Sequence, residues 1–70
     1  MIKQYHELLL VHDYYPLVVK NQYMKSYSND KQRVNIYFTT GTIQIQTTEG
    51  GYKQQTIIRN PTEEELETYL

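Results

Sequence analysis

The residues best suited to metal chemistry lie near the start of the chain, where each of the two histidines precedes a carboxylate. His6 is followed by Glu7, and His12 by Asp13. Zinc needs three or four such ligands at ~2.0–2.2 Å around one point. A helix would turn the two imidazoles about 240° apart, and a strand would separate them by ~20 Å. One zinc ion on His6, His12 and Asp13 would therefore need a bend near His12 or two subunits, and we expect no cofactor.

The other residue types that support catalysis occur without the patterns that catalysis needs. The chain has no cysteine, and Ser26 and Ser28 lack the flanking glycines of a nucleophile elbow. Gly50-Gly51 lacks the spacing of a phosphate-binding loop. The carboxylates concentrate at 63–67, where the start of a helix accounts for them. The sequence therefore predicts a protein that is not an enzyme.

Composition predicts one small domain over residues 1–70. It also predicts that this domain does not bind or cross a membrane. A chain of 70 residues buries only about 60% of its unfolded surface, and without disulfides a homodimer is one way to gain stability. The formal charge is −1, whereas proteins that bind phosphate backbones are usually basic. The longest apolar run, Leu8 to Val11, is too short for a membrane span or a signal peptide. We expect a cytoplasmic protein, in the host cytoplasm if a phage encodes it.

The stretch RVNIYFTTGTIQIQ, residues 33–46, gives the clearest structural pattern. Apolar Val34, Ile36 and Phe38 alternate with polar residues before Thr40-Gly41, and the alternation resumes after it. Period-two alternation on both sides of a glycine turn predicts a hairpin of half-buried strands. Its outward face is uncharged and consists of Asn35, Tyr37, Thr39, Thr42, Gln44 and Gln46.

The remaining segments predict helices at both ends and further strands. Residues 2–12 favour a helix over a strand, residues 17–19 a short strand, residues 21–32 a loop or an irregular edge segment, and Tyr52 to Arg59 a strand. A C-terminal helix begins with either Asn60 or Thr62 as its N-cap, and Leu66, Tyr69 and Leu70 form its apolar stripe. The predicted fold is α+β: an antiparallel sheet of three to four strands with a C-terminal helix and an N-terminal helix.

Tyrosine is the residue that most suggests binding to another protein. It occurs eight times in 70 residues, and it is favoured at interfaces because it combines a large area with a polar tip. The uncharged face is also cheaper to desolvate than a charged one. The predicted partner-binding residues are Tyr37, Gln44, Gln46, Tyr52, Tyr23, Tyr27, Glu63 and Glu64.

Two resemblances extend this prediction. The order of elements in 33–46 and in GGYKQQTIIRNPTEEELETYL, residues 50–70, resembles part of the single-stranded-DNA-binding fold of Whirly proteins and the positive-cofactor transcriptional coactivators. That resemblance implies nucleic-acid binding on the sheet, although Arg33, Lys53 and Arg59 at strand ends are the basic residues near it. The composition resembles small phage and mobile-element accessory proteins, anti-CRISPR inhibitors among them. We therefore expect a protein-binding inhibitor that blocks a host nuclease such as a CRISPR effector, with single-stranded nucleic-acid binding as the alternative.

Overall fold

The computed structural model describes residues 2–47 and 54–70, which form an antiparallel sheet with two helices on one face. The elements, in chain order, are α1 Ile2–Val11, β1 Tyr15–Leu17, β2 Met24–Ser28, β3 Gln32–Tyr37, β4 Thr42–Thr47, β5 Gln54–Arg59 and α2 Glu63–Glu67. The strands pair in sequence order, β1-β2-β3-β4-β5, and every pair is antiparallel. This architecture confirms the predicted α+β class, with five strands instead of three to four.

Helix α1 confirms the helical interpretation of residues 2–12, and the strand alternative is wrong. Tyr5 and Leu9, one helical turn apart, are both buried against the sheet. The helix ends at Val11, and Asp13, two residues further on, has a φ of 66° that reverses the chain. The Tyr14 N–H then donates to the Leu9 carbonyl and the Asp13 N–H to the Leu10 carbonyl, which is the Schellman arrangement of a helix C-terminus. Tyr14 is buried next to Leu9 in the same core, and this contact fixes where the sheet begins.

The hairpin of β3 and β4 is confirmed. Val34 pairs with Ile45 and Ile36 with Ile43, so the apolar residues of both strands share one face. The turn begins earlier than the alternation suggested, and Phe38 and Thr39 lie in it, outside both strands. Phe38 is 42% exposed, so its expected place on the apolar face of a strand is wrong. Gly41, at φ 73°, closes the turn in the left-handed region that glycine tolerates best.

The segment 21–32, expected to be a loop or an irregular edge segment, contains the second strand. Strand β2 pairs along its length with β3, placing Tyr27 opposite Val34 and Ser26 opposite Asn35. Strand β1 lies at 15–17 instead of 17–19, and it includes Pro16, which an edge strand accommodates. The alternation that marks a half-buried strand is hidden in β2, because Lys25 lies on the same face as buried Tyr27 while Met24 lies on the opposite face.

The C-terminal helix is capped by Thr62, one of the two predicted N-caps. The Thr62 side chain accepts a hydrogen bond from the Glu65 N–H, and the Glu65 carboxylate accepts one from the Thr62 N–H. These two bonds form a capping box. Leu66 is fully buried and Leu70 packs against the core, whereas Tyr69 is 43% exposed. The predicted apolar stripe therefore buries two of its three residues.

The core lies between the helices and one face of the sheet. Its fully or nearly buried members are Tyr5, Leu9, Tyr14, Tyr27, Val34, Ile36, Ile43, Ile45 and Leu66. Every element except β1 and β5 contributes one of these residues, and Ile58 of β5 packs against them. The helices thus cover the central part of one face of the sheet, and no described helix covers the other face.

Candidate binding face of the sheet

The face of the sheet opposite the helices, called the open face here, consists of three cross-strand rows. Strand register assigns its residues, because opposite partners in an antiparallel pair lie on the same face. The middle row runs Leu17, Ser26, Asn35, Gln44 and Ile57; the rows on either side are Tyr15, Ser28, Arg33, Gln46 and Gln55, and Met24, Tyr37, Thr42 and Arg59. The strand register thus defines a continuous surface across five strands, whereas the sequence pattern predicted only the part of it on β3 and β4.

A hydrogen-bonded network of side chains occupies the centre of the open face. Asn35 accepts from the Ser26 hydroxyl at 2.7 Å and from Arg33 Nε at 3.1 Å. Its amide nitrogen donates to Gln44 Oε1 at 3.1 Å and to Gln46 Oε1 at 3.3 Å. These bonds explain why Asn35 and Ser26 are only 4% and 1% exposed although no helix covers them. The centre of the face is therefore polar, it carries one charge on Arg33, and its buried groups on Asn35 and Ser26 are hydrogen-bonded within it.

Apolar and aromatic side chains stand at the two sides of this polar centre. Tyr15 on β1 is 52% exposed, and Ile57 on β5 is 57% exposed. Leu17, Met24 and Tyr37 are half-buried on the same face. The open face thus has an apolar margin around a polar middle, whereas exposed apolar residues on a solvated sheet face are usually scattered singly.

Charge is distributed unequally between the two sides of the protein. The open face carries Arg33 and Arg59 and, among the residues that the structure describes, no carboxylate. The described carboxylates lie on the helices or in the turns that follow α1 and β2: Glu7, Asp13, Asp30, Glu63, Glu64, Glu65 and Glu67. The formal charge of −1 is therefore the sum of a weakly positive open face and an acidic helical layer.

The predicted partner-binding residues fall into three places. Tyr37, Gln44 and Gln46 lie together on the open face. Tyr23 is 53% exposed in the loop between β1 and β2. Glu63 and Glu64 belong to the helical layer, away from that face, and Tyr52 lies outside the described residues. The structure therefore does not gather these residues into one surface.

Tyr27, predicted as a partner-binding residue, is a core residue instead. Its side chain is 2% exposed on the helix-covered face, because the register of β2 turns it toward α1. Its hydroxyl shares a hydrogen bond of 2.6 Å with His6 Nδ1. Burial raises the pKa of the Tyr27 phenol, so this hydroxyl keeps its proton to higher pH than an exposed tyrosine does.

The predicted zinc ligands are not assembled in the structure. His6 is engaged with Tyr27, and His12 Nε2 lies 3.5 Å from Glu67 Oε1, linking the ends of the two helices. Asp13 instead supplies the positive φ at the end of α1. Within residues 2–47 and 54–70, no three His, Cys, Asp or Glu side chains are close enough to hold a metal ion. A single described chain therefore does not form this zinc site, and a site shared between two subunits stays a prediction.

Sequence reasoning missed several residues of the open face, namely Tyr15, Leu17, Ser26, Arg33 as a central residue, and Ile57. All except Arg33 and Ile57 belong to β1 and β2, which the apolar pattern did not reveal. Ile57 could have been found from its neighbour, because Ile57-Ile58 in a two-faced strand must place one isoleucine on each face. The signal for Ser26 is its position opposite Asn35, which only the register provides.

Comparisons with known proteins do not assign this chain to a family. No protein-family model, curated protein or solved structure matches it significantly. No described helix is long and apolar enough to cross a membrane. The function must therefore be argued from the open face itself.

Proposed function

We propose that this protein is a non-catalytic binding protein that uses the open face of its sheet to dock onto another protein. The observation that carries the proposal is the combination of exposed Tyr15 and Ile57 with a polar centre that is already hydrogen-bonded within itself. An apolar margin gains free energy when a partner removes it from water. The Asn35 and Ser26 groups at the centre lose little when they are covered, because they keep their hydrogen-bond partners within the face.

The internal hydrogen bonds of Asn35 also favour a protein partner over a nucleic acid. Asn35 uses both its oxygen and its amide nitrogen within the face, so it has little capacity left to read the edges of bases. Recognition by shape and apolar contact, with tyrosine at the periphery, is typical of protein interfaces. The two arginines and the lack of a described carboxylate favour a partner surface that carries acidic groups.

A narrower form of the proposal names the partner as a host nuclease, such as a CRISPR effector, which the protein would inhibit sterically in the host cytoplasm. Only the phage-like composition supports this form. It is tested by adding the protein to a purified effector and measuring cleavage of a matched target. Loss of cleavage that Tyr37→Asp restores would support it, and undiminished cleavage with excess protein would contradict it for that effector.

Single-stranded nucleic-acid binding is the second candidate, and a separate observation favours it. Tyr15 and Tyr37 share the open face with Arg33 and Arg59, and no described carboxylate opposes them. Aromatic stacking and arginine contacts are the two devices of sequence-tolerant single-strand binding. The formal charge of −1 and the two widely spaced arginines provide few phosphate contacts, which is why this candidate ranks second.

The first experiment separates the two candidates directly. Fluorescence anisotropy of labelled single-stranded DNA, duplex DNA and RNA is measured against the protein at low and at physiological salt. We expect no binding even at low salt. Micromolar binding of single strands that weakens steeply with salt would contradict the protein-binding proposal, because counterion release makes phosphate contacts salt-dependent.

The positive test locates the docking surface. A photo-crosslinking amino acid replaces Tyr37 on the open face or, as the matched control, Glu64 on the helical layer, and each protein is expressed in cells that naturally contain it. We expect discrete adducts with one protein from the Tyr37 site, which excess unlabelled protein abolishes and excess Tyr15→Asp/Ile57→Asp double variant does not. Equal adducts from both sites would contradict docking through the open face.

A further inference from the structure

The two edges of the sheet differ in how they are protected against pairing with another strand. Strand β1 has three residues and includes Pro16, which has no N–H to donate. Strand β5 has six residues, Gln54–Arg59, and includes no proline and no lysine. It lies at the outer edge of the sheet among the described elements. Proteins usually blunt such an edge with proline, lysine, a bulge or a short strand, and β5 uses none of these devices.

The phase of the hydrogen bonds shows which residues of β5 point outward. Asn60 N donates to Gly41 O at 2.8 Å, just beyond the pair formed by Arg59 and Thr42. Backbone groups alternate in direction along an antiparallel strand. The N–H and C=O groups of Gln55, Ile57 and Arg59 therefore point away from β4, and their side chains lie on the open face.

From this geometry we infer that β5 is the interface for a second copy of this chain, paired antiparallel with Ile57 opposite Ile57 of the second copy. A two-fold axis perpendicular to the sheet relates the copies, so their open faces lie on the same side. The outward groups of Gln55, Ile57 and Arg59 then meet those of Arg59, Ile57 and Gln55 of the second copy. Every outward backbone donor in this segment finds an acceptor.

This register also suits the side chains. The two Ile57 side chains, each 57% exposed in the single chain, contact one another across the axis. Each Arg59, the charged residue of the strand, faces the neutral Gln55 of the second copy. The two Arg59 residues lie about 14 Å apart along the strands, beyond the screening length at physiological salt. A face-to-face dimer would instead stack the arginines of both open faces without a described carboxylate to pair them.

The pairing makes one continuous sheet from two copies, with the middle rows of both open faces joined at Ile57. A strand-edge contact buries less area than the ~1,200–2,000 Å² of a stable complex. The dimer is therefore expected to depend on protein concentration within an accessible range. This inference does not rest on the proposed function, because it concerns the edge of the sheet and needs no other partner.

Sedimentation velocity over a wide concentration range tests the association. We expect the weight-average mass to rise from that of one chain toward two. Ile57→Pro removes an outward N–H that β4 does not use, so the variant should fold, as circular dichroism can check, and remain monomeric. Val18→Pro, at a fully exposed position just after the opposite edge strand, is the control and should leave the association unchanged. A wild-type chain that stays monomeric at all concentrations, or association that survives Ile57→Pro, would overturn the inference.

Disulfide cross-linking tests the register, since the chain has no cysteine of its own. Opposite residues in a hydrogen-bonded pair are ~5.5 Å apart, within the Cα range that a disulfide spans. Ile57→Cys should therefore oxidise rapidly to a covalent dimer. Gln55→Cys should do so at least tenfold more slowly, because its counterpart lies four residues away along the strand. Equal rates at the two positions would overturn the proposed register.

Discussion

At the scale of single residues, a close contact joins the turn after β3 to the end of β5. The Gly41 carbonyl accepts a hydrogen bond from Asn60 N, and both residues have positive φ, 73° and 45°. A Cβ on Gly41 would lie 1.8 Å from Asn60 Oδ1. Glycine is therefore required at position 41 for its backbone conformation and for its missing side chain alike.

Gly41→Ala is expected to lower the free energy of unfolding by about 2 kcal/mol or more, since the left-handed conformation and the collision with Asn60 both oppose it. Urea denaturation measures the loss. The neighbouring exposed Thr40→Ala should change little. Asn60→Gly should stabilise the Gly41→Ala variant by more than it stabilises the wild-type protein, because the two positions are coupled. A loss that Asn60→Gly leaves unchanged would show that the collision is relieved in another way.

Two buried tyrosines make stability depend on alkaline pH. Burial raises the pKa of Tyr27, and burial followed by the charges of Glu65 and Glu63 raises that of Tyr5. Above about pH 10 the unfolded chain loses these protons before the folded protein does. The folded state then binds more protons, so stability must fall as pH rises. Below that pH their contribution is fully present.

The expected result is a urea midpoint that declines more steeply above about pH 10 in the wild-type protein than in Tyr27→Phe or Tyr5→Phe. Both variants should be less stable at neutral pH, because Tyr27 loses its bond with His6 and Tyr5 its bond with the Pro61 carbonyl. Exposed Tyr23→Phe is the control for the slope. If Tyr27→Phe and Tyr5→Phe declined as steeply as the wild type, these phenols would not cause the alkaline loss.

At the scale of elements, the backbone at the end of α1 sets the direction in which the chain continues into β1. Asp13 holds a φ of 66° while Tyr14 N bonds to the Leu9 carbonyl. Aspartate tolerates this conformation better than most residues, and glycine tolerates it best. The backbone conformation at position 13 is therefore sufficient to explain an aspartate there, and no metal is needed to explain it.

Asp13→Gly is expected to stabilise the protein by about 0.5–1 kcal/mol by removing the strain of a side chain at positive φ. Asp13→Ala should destabilise it, since alanine keeps that strain and loses the tolerance of aspartate. Thermal unfolding followed by circular dichroism compares the three proteins. If Asp13→Gly were less stable than Asp13→Ala, the carboxylate would make a contribution that the backbone conformation does not explain.

The elements that the sequence predicted are those whose signals are local. The hairpin alternation and the Thr62 capping box depend on residues within a few positions of each other, and both are confirmed. Strand β2 was missed because charged Lys25 stands on its helix-covered face, opposite Ile36, and only the pairing with β3 reveals which face that is. The open face depends on register across five strands, so its centre could be predicted from the hairpin but its two sides could not.

At the scale of the whole molecule, both helices and the sheet depend on one small core. Leu66 of α2 is fully buried in the same cluster as Leu9 of α1 and Ile43 of β4. A domain of 70 residues is typically stable by about 4–10 kcal/mol. The loss of one core side chain should therefore affect every element together and not α2 alone.

Leu66→Ala is expected to cost about 2–5 kcal/mol, the usual range for a buried leucine that leaves a cavity. For a domain of this size that cost lowers the melting temperature by at least about 10 °C. Far-ultraviolet circular dichroism and tyrosine fluorescence should report the same lowered midpoint, because α2 supplies part of the only core that the described elements share. Tyr69→Ala, at a position 43% exposed, is the control and should shift the midpoint much less. Separate transitions by the two probes would instead show that α2 unfolds independently, and that the sheet keeps its open face without it.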